Sequence, residues 1–153
     1  MTAEAWKTTL GALLPSATFE EAGEFVTLHL EPPDWLAAAG QLRQEPALQL
    51  DYLFCLTCID WKTHLTLVYH LASTEDRTRQ VVVKLKLDRS QPAVESVSGI
   101  WRTAEFHERE VYEMFGVQFL HHPDLRLLIL PDGWEGKHPM RKDFEDPVNM
   151  IRL

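Results

Sequence analysis

Carboxylates, cysteines and histidines are the residues of this sequence that could do chemistry, and they fall into three groups. The first group runs from Glu105 to Glu113, where paired carboxylates could exchange protons if burial raised the pKa of one of them. Glu105, Arg109 and Glu113 are four residues apart, so one arginine on a helix can bridge both acids. An arginine among several acids keeps them ionised. The sequence therefore favours an ion-pair network or an interface over catalysis.

The second group is the motif Cys55-Leu-Thr-Cys58, which could be a thiol redox pair or half of a zinc site. The motif lies inside a predicted strand, where residues three apart point to opposite faces. The sequence has no second C-x-x-C that would complete a zinc site. We expect a structural pair of buried thiols, with a stand-alone metal or thiol-redox protein as the alternative from a different functional class.

The third group comprises His121, His122 and His138. Neighbouring side chains rarely converge on one metal, and no carboxylate stands at a helical spacing to complete a site, so we expect no metal here. A cationic cluster follows, in which Arg141 and Lys142 precede Asp143. Because the surrounding segment is apolar, we interpret this cluster as a contact with a partner protein.

The elements that position these groups follow from the spacing of apolar residues. Helices are predicted near 3–14, between Pro32 and Pro46, and from an N-cap at Thr103 to Gly116. Strands are predicted over 24–30, 52–61, 63–71 and 81–88, and the last three, with short links, predict an antiparallel meander. Residues 52–61 are apolar on both sides, which is typical of a central strand covered on both faces.

These elements predict an α+β fold, with a mainly antiparallel sheet of about four strands packed by helices and followed by an extended irregular C-terminal tail. The body would span residues 1–116 and the tail residues 117–153, within one domain overall. The tail has four prolines and no clear period, yet it is rich in Leu, Trp and Phe. A long segment of this kind normally serves a function or a partner. We therefore predict that the tail wraps a neighbouring protein.

Charge and hydropathy restrict the class of protein. The net charge is −8, and residues 1–60 hold only Lys7 and Arg43 against nine carboxylates, which argues against a nucleic-acid partner. No run of 18 apolar residues and no cationic signal sequence occurs, so we expect neither a membrane span nor secretion. Two cysteines do not make a disulfide framework, which favours a reducing, cytosolic setting.

Residues 108–144 resemble the signature region of the 30-kDa-type subunit of respiratory complex I, which is also called the C-type subunit of NADH-quinone oxidoreductase. The matching residues are Glu108-Arg109-Glu110, Glu113, Met114-Phe115-Gly116, His122-Pro123-Asp124-Leu125-Arg126, Pro131 and the run Pro139-Met140-Arg141-Lys142-Asp143-Phe144. The chain departs from the family pattern at His121, where glycine is usual, and at Leu127, where a basic residue is usual. Glu113 stands where aspartate is frequent, and Lys137 is an apparent insertion.

The resemblance implies a non-catalytic peripheral-arm subunit of a proton-translocating NADH:quinone oxidoreductase. It implies no cofactor in this chain, with FMN, iron–sulfur clusters and quinone held by partner subunits. The expected partner is chiefly the 49-kDa (D-type) subunit, on the cytoplasmic side of the bacterial inner membrane, with the membrane reached only through the complex. The alternative is the equivalent subunit of an energy-converting hydrogenase or formate hydrogenlyase. The residues expected at the interface are Glu108, Arg109, Glu110, Glu113, His122, Pro123, Asp124, Arg126, Trp134, Arg141, Lys142 and Asp143.

Overall fold

A computed structural model of the chain describes residues 3–20, 23–146 and 148. The helices are α1 (Ala3–Leu13), α2 (Trp35–Gln44) and α3 (Ala104–Phe115), and a 3₁₀ turn, Pro32–Asp34, precedes α2. The strands are β1 (Thr18–Phe19), β2 (Val26–Leu30), β3 (Tyr52–Asp60), β4 (His64–Ala72), β5 (Gln80–Asp88), β6 (Ala93–Glu95) and β7 (Gln118–Leu120). Of the predicted tail, residues 147 and 149–153 lie outside the described residues.

The main sheet has the strand order β1-β2-β5-β4-β3. Its neighbours run antiparallel except β2 and β5, which are parallel, and β6 and β7 form a separate parallel pair. The predicted α+β fold with a mainly antiparallel sheet is confirmed, as is the meander of β3, β4 and β5. The sheet has five strands rather than about four, because Thr18 and Phe19 pair with His29 and Leu28 as a short edge strand.

The prediction that residues 52–61 form the central strand is wrong, because β3 lies at the edge of the sheet. Leu53 and Leu56 face the core on either side of a register shift between Leu53 and Cys55. The apolar side chains of the opposite face are left in solvent, with Tyr52 43% and Ile59 36% exposed. Residues 52–61 are therefore apolar on both sides although only one face of β3 packs against the core.

The core lies on one face of the sheet, where the three helices pack. Leu65, Leu67, Tyr69 and Leu71 alternate along β4 and join a single buried cluster with Leu10 of α1, Trp35 of α2 and Val111 of α3. Trp101, just before α3, is buried in the same cluster, and its indole Nε1 donates a 2.9 Å hydrogen bond to the carbonyl of Leu50. This bond ties the start of α3 to the segment that leads into β3.

Helix α3 begins and ends where the sequence predicts, but the side chain of its N-cap residue does not cap it. Thr103 occupies the N-cap position without a side-chain capping bond, and its hydroxyl instead donates to the carbonyl of Leu53 at 2.6 Å. The helix ends at Gly116 in the left-handed conformation, as expected of a C-terminal glycine. Thr103 therefore fixes α3 to the edge strand rather than capping it.

The structure differs from the prediction that irregular chain begins at residue 117. Val117 and Phe119 are buried in the core, and Gln118–Leu120 forms β7 beside β6. A three-residue strand is too short to show a period, which is why the sequence did not indicate it. Within the described residues, no helix combines the length and hydropathy needed to cross a membrane.

Candidate functional site

The family-like residues of the sequence lie on α3 and on residues 121–146, the C-terminal loop. Helix α3 is amphipathic, and beside its apolar residues the polar side chains of Glu108, Arg109 and Glu113 are also buried. Buried charges are costly unless they are hydrogen-bonded, so each must have partners. The partners come from the loop and from the segment that follows β6.

Arg109 holds the loop by two backbone carbonyls. Its Nε donates to the carbonyl of Arg126 at 3.1 Å and its Nη2 to that of Leu127 at 2.6 Å. The guanidinium also lies 5.9 Å from the centre of the Phe106 ring, one turn earlier on the helix. The fork of an arginine suits two neighbouring acceptors, which a lysine could not bind in the same way.

Glu113 holds the next stretch of the loop by its amide groups. One carboxylate accepts hydrogen bonds from the backbone N–H groups of Leu128 and Ile129 at 2.9 Å and of Leu130 at 3.1 Å. Successive N–H groups that converge on one anion form a backbone nest. Helix α3 thus binds residues 126–130 in two ways: the guanidinium of Arg109 donates to carbonyl groups, and the carboxylate of Glu113 accepts from amide groups.

The ion-pair network predicted for α3 is therefore wrong. Among the ion pairs of residues 3–20, 23–146 and 148, none joins Arg109 to Glu105 or Glu113. The helical spacing was correct. The backbone groups of the irregular loop, however, are not paired within a helix or sheet, so they are available to these side chains, and the sequence does not indicate this. Both side chains bind this backbone rather than each other.

Glu108 points away from the loop, into the core. Its side chain accepts hydrogen bonds from the hydroxyl of Ser96 at 2.7 Å and the amide of Val97 at 3.3 Å. Burial raises the pKa of Glu108 to about 7, although both hydrogen bonds act to lower it. Glu108, Arg109 and Glu113 are buried within the chain, so their predicted place at an interface stays a prediction.

The three histidines are used within the chain and do not converge. His121 lies 2.7 Å from the carboxylate of Glu95, while His122 donates from Nε2 to the carbonyl of Glu105 at 2.9 Å. The ring of His138 packs over Gly116 at the end of α3. Within the described part of the chain, no group of three or more Cys, His, Asp or Glu residues is arranged to hold a metal ion.

The outer end of the loop is fixed to both α3 and the sheet. Arg141 donates from Nε to the carbonyl of Phe115 at 2.6 Å, and the amide of Met140 donates to that of Met114 at 3.1 Å. The amide of Lys142 donates to the carboxylate of Asp60 at 2.9 Å. Asp60 and its partner Arg89 carry no motif, so sequence reasoning missed both.

The two cysteines lie on opposite faces of β3, as predicted, because Cys55 is opposite the outward-facing His70 and Cys58 is opposite the core residue Leu67. Both thiols are free and half-buried rather than buried. Burial raises the pKa of Cys58 to about 12 and, to a smaller extent, the pKa of Cys55. A thiol with a raised pKa is a poor nucleophile and metal ligand at neutral pH.

The remaining predicted residues lie on the loop surface. Pro123, Asp124, Arg126, Lys142 and Asp143 are exposed, Glu110 is exposed on α3, and His122, Trp134 and Arg141 are half-buried. Arg126 pairs with Asp124 at 2.8 Å, which holds the pKa of Asp124 below its usual value. The ammonium group of Lys137 lies 4.6 Å from the centre of the Trp134 ring.

The arrangement presents apolar side chains rather than reactive groups. Arg109 and Glu113 bind the backbone of the loop, and the side chain of Ile129 is left 62% exposed. Leu128 next to it and Phe106 on α3 are also exposed. Met140, whose amide binds the carbonyl of Met114, is 58% exposed and borders a cavity of about 190 Å³ also lined by Met114 and Cys58. Phe106, Leu128, Ile129 and Met140 are therefore the candidates for contact with another protein.

Comparison with known proteins decides the family. The model of the family described as "Respiratory-chain NADH dehydrogenase, 30 Kd subunit" matches residues 28–148, which includes most of β2, strands β3 to β7, α3 and the loop. The chain belongs to this family. The resemblance carried by residues 108–144 is therefore confirmed.

Relatives of the 30-kDa-subunit family extend the match. The C-type subunit of NADH-quinone oxidoreductase from Roseiflexus sp. (strain RS-1) is 37% identical over 140 residues, covering 88% of this chain and 79% of the relative. The C/D-type subunit of NADH-quinone oxidoreductase from Phocaeicola vulgatus is 42% identical over 113 residues, covering 73% of this chain. The chain spans only 22% of the length of that C/D-type relative.

A solved structure shares the fold of this family member. The structure of the membrane-bound sulfane sulfur reductase, an archaeal respiratory membrane complex, contains a chain with a TM-score of 0.79 and 25% identity. The match covers 93% of this chain and 85% of the other. The fold of this chain thus has a structural counterpart in a chain of that archaeal respiratory membrane complex.

Proposed function

We propose that this chain is the non-catalytic 30-kDa-type (C-type) subunit of a proton-translocating NADH:quinone oxidoreductase, located in its peripheral arm. The family match over residues 28–148 carries the proposal, since the matching family is a subunit of a respiratory-chain NADH dehydrogenase. The role of the chain would be to support the quinone-site subunit and the assembly of the electron-transfer chain. FMN, iron–sulfur clusters and quinone would belong to partner subunits.

The geometry of the site supports a supporting role rather than a catalytic one. Arg109, Glu113 and His122 belong to the family signature, and each is hydrogen-bonded to the backbone of its own chain. Side chains that bind backbone groups of α3 and the loop hold the shape of this region, which supports the proposed role.

The partner we propose is the 49-kDa (D-type) subunit. Relatives of the C/D type carry both designations in a single chain, so the two parts are physically joined there. The surface proposed for this contact comprises Phe106, Leu128, Ile129 and Met140, all exposed and apolar. Apolar anchors with a polar rim are typical of a stable interface. The complex would lie on the cytoplasmic side of the bacterial inner membrane, and this chain would reach the membrane only through it.

A second candidate is the equivalent subunit of a related respiratory membrane complex, of the energy-converting hydrogenase kind. The observation in its favour is the chain of the membrane-bound sulfane sulfur reductase, which matches nearly the whole fold. The two candidates share the same surface and differ in the other subunits of the complex. The composition of the isolated complex therefore separates them.

The test is to purify the complex from native membranes through an affinity tag on this chain and to identify its subunits by mass spectrometry. We expect a 49-kDa-type subunit, flavin-containing NADH-oxidising subunits and NADH:quinone reductase activity. A complex without the NADH-oxidising subunits would support the second candidate. Recovery of this chain without any respiratory subunit would refute both.

A matched pair of surface variants tests the proposed interface. Ile129→Asp places a charge on the loop surface, whereas Phe25→Asp changes another exposed apolar residue just before β2. We expect Ile129→Asp to cost about 2 kcal/mol or more of binding free energy to the complex, the size of an interface hot spot, while the isolated chain unfolds as before. Phe25→Asp should assemble normally. Equal assembly of both variants would contradict the proposed surface.

A further inference from the structure

Asp60 is a buried carboxylate whose hydrogen-bond donors come from three separate segments of the chain. It ends β3, is 4% exposed, and accepts two hydrogen bonds of 2.8 Å from Nε and Nη2 of Arg89. The amide of Lys62 donates to it at 2.8 Å and the amide of Lys142 at 2.9 Å. These donors hold the pKa of Asp60 well below its usual range, Arg89 being the largest cause.

The three segments meet at one end of the sheet. Arg89 directly follows β5, and Lys62 lies in the turn between β3 and β4. Lys142 is 82 residues away in sequence and belongs to the C-terminal loop. Arg89 also pairs with Asp143 of the loop at 3.2 Å. The carboxylate thus joins the sheet to the outer end of the loop by contacts that owe nothing to α3.

From this geometry we infer that Asp60, with Arg89, is a positioning residue that fixes loop residues 138–144 in the shape that binds the partner. The inference rests on the proposed function for the identity of that partner, the 49-kDa-type subunit. Binding is strengthened when a surface is already ordered in the free protein, because less conformational entropy is then lost on association. The sheet end therefore helps to pre-form the part of the interface around Met140, whose amide is also bound by α3, while α3 pre-forms the part around Ile129.

The attachments of the loop are separable. Arg109 and Glu113 hold residues 126–130 and the end of α3 binds Met140 and Arg141, whereas Asp60 and Arg89 hold residues 142 and 143. An asparagine at position 60 keeps the shape of the side chain but removes its charge and turns an amide group toward the donors. Loss of the Asp60 contacts should then loosen the outer end of the loop, which keeps only its contacts with the end of α3, while the contacts of Arg109 and Glu113 remain.

The first arm of the test measures hydrogen exchange in the free full-length chain. In Asp60→Asn we expect the backbone amides of residues 138–144 to exchange about tenfold faster or more, the scale set by hydrogen bonds to a charged group. Exchange at residues 128–130 and in β4 should not change. Glu20→Gln is the matched control, since Glu20 pairs with Lys84 and His29 at the opposite edge of the sheet. Unchanged exchange at residues 138–144 would overturn the inference, whatever the partner is.

The second arm measures binding of the same variants to the purified 49-kDa-type subunit. We expect Asp60→Asn to bind about tenfold more weakly, mainly through slower association, and Glu20→Gln to bind as the unmodified chain does. Faster exchange with unchanged binding would overturn the positioning role. If the unmodified chain itself does not bind the 49-kDa-type subunit, the proposed function fails, while the exchange arm still decides whether Asp60 fixes the loop.

Arg89→Gln keeps the test decisive if Asp60→Asn does not fold. It removes the two side-chain hydrogen bonds and the pair with Asp143, but leaves the carboxylate with the amides of Lys62 and Lys142. We expect a smaller change in the same direction in both arms. Exchange at residues 138–144 equal to that of the unmodified chain would contradict the role given to Arg89.

Discussion

Glu108 shows how a single carboxyl can belong to a family signature without touching a partner or a reactant. It has no exposed surface and, within the described residues, its hydrogen-bond donors are one hydroxyl and one amide, neither of them charged. Two neutral donors do not offset the loss of hydration of a charged carboxylate, so the pKa of Glu108 is raised to about 7. The group therefore titrates near neutral pH inside the core.

This raised pKa predicts how stability depends on pH. An unfolded chain loses the Glu108 proton near pH 4.5, whereas the folded chain keeps it to about pH 7. Between these values the folded state binds more protons, so the contribution of Glu108 to the free energy of unfolding falls as pH rises and is lowest above pH 7. Glutamine lacks this titration. Glu108→Gln should therefore gain stability relative to the unmodified chain between pH 5 and 8, by at most about 3 kcal/mol.

Urea unfolding of both proteins at pH 5 and pH 8 measures this difference. Glu110→Gln is the control, because Glu110 is exposed on the same helix. A stability difference between Glu108→Gln and the unmodified chain that stays constant with pH would show that Glu108 is not the titrating group.

At the scale of the element, the end of α3 is set by one glycine and one histidine. Gly116 has a φ of 83°, which glycine adopts without steric cost, and His138 reaches this point with a φ of 49°. A Cβ at position 116 would lie only 2.7–2.9 Å from three atoms of the His138 ring. The glycine thus ends the helix and leaves the space in which the loop packs.

Gly116→Ala should therefore destabilise the chain for two separate reasons. The left-handed conformation costs an alanine about 1–2 kcal/mol, and displacement of His138 adds to this cost. Gly40→Ala is a matched control within α2, since a Cβ there meets no atom within 4 Å and alanine favours a helix by up to about 1 kcal/mol. Thermal unfolding should show a lower Tm for Gly116→Ala and an equal or higher Tm for Gly40→Ala. Equal effects of the two substitutions would contradict the role of His138.

The spacing of apolar residues predicted individual helices and strands, but not which other elements they pack against. The apolar spacing of α3 and its terminal glycine located that helix, and alternation located β4 and β5, because each signal is contained within one element. The edge position of β3 was not predictable, since an apolar residue does not reveal whether a protein or solvent covers it. The grip of Arg109 on residues 126 and 127 was missed because irregular backbone carries no period.

At the scale of the whole molecule, the sequence predicts a body and an extended tail within one domain, and the contacts show how the two are joined. Val117 and Phe119 lie in the core, and the loop supplies the partners of Arg109 and Glu113. The contact of Asp60 with Lys142 spans 82 residues, a distance over which no sequence pattern could indicate it. Long-range contacts of this kind are what turn successive elements into one cooperative unit.

Truncation after Gly116 tests whether the body is stable alone. Removing a buried valine and a buried phenylalanine costs about 2–5 kcal/mol each, and the core that residues 117–146 cover would also be exposed to water. This loss is a large part of the roughly 5–15 kcal/mol by which a domain is usually stable. We expect residues 1–116 to show no cooperative transition in urea or on heating, whereas the full chain shows one. A cooperative transition of the fragment close to that of the full chain would establish residues 117–153 as a separate tail, and the surface around Ile129 would then have to be ordered by its partner instead of by α3.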